Sequence, residues 1–141
     1  MIIEALRVIH AKHRLANVSV SEHTKSAQII TKEWQQSVRT ENIQAEVKVS
    51  PLGNEKIDIV DLSKKEAYEL KVSGKNTHHE FYKDIVKVLT YNEYVGSDKK
   101  LRKLIFISEM SGIKSLEKRL DKKFLFMLKD THQLSVELVS I

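Results

Sequence analysis

The chain has 141 residues, enough for one domain that buries roughly 70% of the surface its unfolded form exposes. Its 24 lysines and arginines exceed its 19 aspartates and glutamates by five, a mildly basic balance that favours a polyanionic partner. With no cysteine, disulfides and thiolate zinc sites are excluded, and the opening MIIEALRVIHAKHR has too short an apolar run and too many charges for a signal peptide or membrane span, so the expectation is a single soluble, cytoplasmic domain over 1–141.

In chain order, Ile2, Leu6, Ile9 and Ala16 recur near helical spacing and predict a short leading helix to about Leu15. His10 and His13, three apart, can face one ligand, but two histidines without a third donor read first as a solvated face. A second helix begins after Ser19 or Ser21 and runs to about Arg39, with Ala27, Ile30, Trp34 and Val38 as its apolar stripe. Glu22 and Glu33 both fall on one flank of that stripe.

Ile43 to Val49 alternates, with Ile43, Ala45, Val47 and Val49 on one face, and predicts a half-buried strand. The turn Ser50-Pro51-Leu52-Gly53-Asn54 leads into two apolar runs, Lys56–Leu62 and Glu66–Val72, that flank Ser63-Lys64-Lys65 as a hairpin. Three consecutive strands so joined form an antiparallel meander. Thr77-His78-His79-Glu80 has the form of a capping box and opens a helix to about Tyr94, where Phe81, Ile85, Val88 and Leu89 face the sheet. Tyr82, Lys87 and Tyr91 can border a cleft, and His78 and His79 read first as a solvated helix start, with contact to a phosphate as the alternative. Leu104–Ile107 predicts a buried strand. Ile113, Leu116, Leu120 and Phe124 predict a lysine-rich amphipathic helix; Phe124–Leu128 either ends it or begins a strand and is read as helix, and Leu134–Ile141 predicts a last strand. The expected order is α α β β β α β α β, an α/β fold with a mixed sheet flanked by helices.

The chemistry concentrates in the hairpin. Strand side chains alternate, so Glu69 and Lys71 share a face, and Asp58 joins them whether it lies opposite Glu69 or opposite Lys71. Asp61 then falls on the other face, and a slip of one residue would exchange the two aspartates. Two carboxylates offer the hard oxygens that Mg²⁺ or Mn²⁺ prefers, and a neighbouring ammonium can stabilise charge developing on a phosphate.

A helix bearing a glutamate, then Ile57-Asp58-Ile59-Val60 on a second strand, then Glu69-Leu70-Lys71 on a third, followed by a helix and a strand, resembles the PD-(D/E)XK nuclease superfamily. The likeness runs from about Ser19 to Ser108 and is nearest in pattern to the small Holliday-junction resolvases of archaea and phages. It implies a restriction-endonuclease-like core and a Mg²⁺-dependent deoxyribonuclease, with Mn²⁺ as a substitute cation. By the same resemblance Asp58 and Glu69 are metal ligands, the Leu70 carbonyl is a further contact, Lys71 is the catalytic lysine and Glu22 the additional acid, with Glu33 in reserve. DNA is the implied partner and a homodimer the implied assembly, since cutting two strands takes two sites. The chain departs from the pattern in having Ile57 where a proline is written, and Lys87-Val88-Leu89-Thr90-Tyr91 where some exonuclease branches carry Q-x-x-x-Y. The rival expectations are a catalytically silent nucleic-acid-binding or assembly module, and a subunit that cuts only within a larger defence or transposition complex.

Overall fold

The computed structural model describes residues 1–14 and 27–141 in full and the backbone of 23–26. Helices α1 (Ile2–Arg14) and α2 (His23–Val38) precede strands β1 (Ile43–Lys48), β2 (Lys56–Asp61) and β3 (Glu66–Lys71). Helix α3 (Thr77–Tyr94) and a 3-10 turn (Ser97–Lys99) lead to β4 (Lys103–Ser108), and helices α4 (Met110–Arg119) and α5 (Lys122–His132) to β5 (Ser135–Ser140). No helix among the described residues is long and apolar enough to cross a membrane.

The five strands form one sheet in chain order, antiparallel from β1 to β3 and parallel from β3 to β5. Short turns force the antiparallel half, whereas the helical crossovers α3 and α4–α5 make the parallel half. Two crossovers stepping the same way with the same hand leave their helices on one face. Accordingly Phe81, Ile85 and Val88 of α3, Leu116 of α4 and Leu128 of α5 pack on Ala67, Leu104 and Phe106. On the opposite face Leu6, Ile9, Ile30 and Trp34 of α1 and α2 cover Ile59, Tyr68, Ile105 and Ile107. Trp34 is fully buried, and its indole N–H donates to the Ile2 carbonyl at 3.0 Å, which locks the two helices together.

Three expectations need correction. The lysine-rich helix is two helices, because the Asp121 side chain accepts from the Lys123 N–H and caps a new start after Leu120. The capping box at Thr77 does not form: Asn76, in a left-handed conformation (φ 57°), precedes the helix, and the Thr77 hydroxyl donates to the Gly112 carbonyl instead. Strand β1 does not keep one apolar face. Ile43 packs with the α1–α2 layer while Val47 and Val49 pack with the α3 layer, because Glu46 between them adopts φ 50° and re-phases the strand. Strand β2 makes the same exchange between Ile57 and Ile59, so the register survives on both sides of Asp58.

Candidate functional site

The β2–β3 pairing matches Ile59 with Tyr68 and Val60 with Ala67, and one step further along this register Asp58 stands opposite Glu69. There the ladder gives way to side chains. The Asp58 N–H donates to Glu69 Oε1 at 3.1 Å, and the Leu70 N–H donates to Asp58 Oδ2 at 2.8 Å. Each acid thus satisfies the other strand's backbone where the strands part, which holds both carboxylates in place. Gln35 of α2, itself buried, donates to the Asp58 carbonyl at 2.9 Å and fixes the third polar group of this residue. Asp61 lies on the other face and organises the hairpin turn, accepting from the Ser63 N–H, the Ser63 hydroxyl and the Lys64 N–H.

Helix α3 completes the cluster. Its Lys87 ammonium donates to Glu69 Oε1 at 2.8 Å, to Asp84 Oδ1 at 3.1 Å and to the Lys56 carbonyl at 2.8 Å. Glu69, Asp84 and Lys87 are 4%, 6% and 8% exposed, so these charges meet largely out of water. Burial pushes Glu69 well above the usual carboxylate range, and the neighbouring Asp58 and Asp84 push it further. Burial likewise raises Asp84 to about 6 against the pull of Lys87, and raises Asp58 against its bond from Leu70. For Lys87 burial acts to lower the value, but Glu69 and Asp84 outweigh it and the ammonium is held above the usual lysine range.

Of the residues expected from the sequence, Asp58 and Glu69 come together, with the Leu70 backbone between them in the hydrogen-bond pattern. Lys71 ends β3, half-buried and paired across the sheet with Ser108; it forms no ion pair with a described carboxylate. Glu22 lies outside the described residues. Glu33, the alternative acid, is taken by α1 instead: His13 lies 2.7 Å from its Oε2 and Lys12 3.1 Å from its Oε1, and these bonds hold its carboxyl below the usual range. His10 turns elsewhere, 3.9 Å from Glu109, which also pairs with Arg14 at 2.6 Å. The two histidines therefore serve two different carboxylates and do not share a ligand. Tyr91 is buried in the core beneath α3. His78 and His79 line a polar cavity of about 240 Å³ with Asn76, Thr77, Ser115 and Arg119.

Asp84 was not among the expected site residues, although the sequence carried a signal for it. Phe81, Asp84, Ile85 and Val88 occupy one helical stripe, and a carboxylate inside an otherwise apolar stripe needs a buried partner. Lys87, expected at a cleft border, supplies that partner.

Among the described residues no three histidine, cysteine or carboxylate side chains are arranged as a ready metal site. Asp58 and Glu69 do offer carboxyl oxygens, the donor type that a hard divalent cation takes as ligands. Asp58, Glu69 and Asp84 set three carboxyls against the single Lys87 ammonium, and Asp58 Oδ1 takes no hydrogen bond from a described residue. A second cavity, about 280 Å³, opens on the α2 side and is lined by Lys32, Gln35, Gln36, Arg39 and Glu46, so Gln35 joins it to Asp58. No protein-family model, curated protein or solved structure matches the chain.

Proposed function

We propose that this domain is a Mg²⁺-dependent deoxyribonuclease of restriction-endonuclease-like fold that hydrolyses DNA phosphodiesters. The observation that carries the reading is the bonding of Asp58 and Glu69 to each other's strands, which fixes two acids side by side at the parting of β2 and β3 with one ammonium, Lys87, beside them. Asp58, Glu69 and the Leu70 carbonyl are the groups to hold Mg²⁺ or Mn²⁺, and a bound cation of this kind supplies Lewis-acid stabilisation of phosphate oxygens and a more acidic water. Lys71, on the same face as Glu69, brings an ammonium to the negative charge that grows on the phosphate in the transition state. Glu22 is the additional acid of this proposal. A small domain has no separate module to read base edges, so cleavage is structure-selective or non-specific, carried out by a symmetric homodimer with one site per strand.

The Lys87 ammonium on Glu69 favours a second reading, a silent nucleic-acid-binding or assembly module in which that ion pair has replaced the cation. Incubation of the purified protein with plasmid, linear and four-way-junction DNA, with Mg²⁺, Mn²⁺ or EDTA, separates the two. The nuclease reading expects cutting with either cation, none with EDTA, and a loss of about 100-fold or more in Lys71→Ala. Metal-dependent cutting that persists in Lys71→Ala removes that lysine from the chemistry, and intact DNA under every condition favours the silent module.

A further inference from the structure

Lys87 is fully engaged. An ammonium has three N–H donors, and those of Lys87 go to Glu69 Oε1 on β3, Asp84 Oδ1 one helical turn back on α3, and the Lys56 carbonyl two residues before Asp58 on β2. The residue therefore ties α3 to both strands that carry the acids. Glu69 Oε1 is saturated as well, since it accepts from Lys87 and from the Asp58 N–H together. A cation taking that oxygen as a ligand competes directly with the ammonium.

Resting on the nuclease reading above, we propose that Lys87 is the resident counter-ion of the Asp58/Glu69 centre and that a divalent cation enters by displacing it from Glu69, while Asp84 keeps hold of it. Asp84 is the retaining partner because it sits on the same helix as Lys87 and bonds it independently of the strands. The displaced ammonium then needs no new partner from solvent, because it stays on Asp84 while the cation's two charges meet Asp58 and Glu69. Asp84 and Lys87 are thus positioning residues for cation entry, one holding the carboxylate in its metal-free arrangement and the other receiving the lysine.

The test is binding of Mn²⁺ and Mg²⁺ by calorimetry to the full chain, to Lys87→Met and to Asp58→Asn, with the cation-induced rise in Tm measured for each. Removing the competitor is expected to tighten cation binding to Lys87→Met by about tenfold or more. The same variant should gain a larger rise in Tm from saturating cation than the unaltered protein does. Equal or weaker binding by a folded Lys87→Met overturns the proposal, because a merely structural lysine leaves affinity unchanged or supports it. If that variant fails to fold, the side-chain ammonium resonance of Lys87 in the unaltered protein decides: a shift that tracks Mg²⁺ saturation supports displacement, and a resonance that stays put while the cation binds refutes it. Absence of saturable binding to the unaltered protein, or binding that Asp58→Asn leaves intact, overturns the nuclease reading of the centre and this inference with it, whereas unchanged affinity in Lys87→Met alone overturns only the inference.

Discussion

At the scale of single residues, the charges around Glu69 are set against their solvation. The fold favours the protonated form of Asp84, raised to about 6 by burial, and of Glu69, raised well beyond its ordinary value. An acid with a raised folded-state value binds protons more tightly folded than unfolded, so its contribution to stability is greatest at low pH and declines as pH rises from the unfolded value to the folded one. For Asp84 that window runs from about 4 to about 6. Asp84→Asn removes this group's titration, and its Tm relative to the unaltered protein is expected to climb across the window and level off above it. Thermal melts at several pH values check this, and a pH-independent gap between the two proteins counts against the burial argument. Protons held on Glu69 and Asp58 oppose cation binding, so affinity for Mn²⁺ should strengthen as pH rises.

At the scale of elements, the approach of α4 to the start of α3 decides how the parallel half of the sheet is closed. A Cβ on Gly112 would lie 2.7 Å from Thr77 Cγ2 and 2.8 Å from the Gly74 Cα, and backbone cannot yield as a flexible side chain does. Gly112→Ala is expected to cost about 1–3 kcal/mol, a fall in Tm of several degrees, with the α3–α4 packing displaced. Asp121→Ala should cost about 1 kcal/mol through loss of the cap that opens α5. An unchanged melting curve in either case would contradict the contact it rests on. The stripe from Ile113 through Phe124 spaces well as one helix, and the break is written in Asp121, a cap residue inside that stripe. By contrast, the exchange of faces in β1 and β2 has no local marker. Glu46 is an ordinary strand residue on the alternation pattern, yet it falls at the step between Ala45–Ile59 and Val47–Ile57 where the ladder is unpaired and the Asp58 backbone is bonded to Glu69 and Gln35 instead.

At the scale of the whole molecule, two cavities are lined by basic side chains. Lys32 and Arg39 line the one on the α2 side, joined to Asp58 through Gln35, and Arg119 with His78 and His79 lines the one at the start of α3. If DNA lies along the α2 side, Lys32→Ala with Arg39→Ala should reduce the slope of log affinity against log salt by about two. Titration of a labelled duplex at several salt concentrations, in Ca²⁺ or EDTA to prevent cutting, measures this. An unaltered slope would place the DNA track elsewhere. Neither Lys32 nor Arg39 is among the partners of Lys87, so cation affinity should be unaffected.

Local physics made much of this readable in advance. Alternation and turn residues determined the meander, the period of α3 and the apolar run of β4 determined the crossover, and strand parity put Glu69 and Lys71 on one face, to which the hairpin register then added Asp58 and not Asp61. These follow from the chain's own geometry, because a side chain's direction on a strand is set by its neighbours in sequence. What only the tertiary structure decided is the company those acids keep. Whether Lys71 or Lys87 meets Glu69, whether Glu33 serves the centre or the histidine of another helix, and where a buried Asp84 finds its partner depend on how α1, α2 and α3 dock on the sheet. Docking is the sum of many weak contacts distributed over both layers, and no single stretch of sequence contains it.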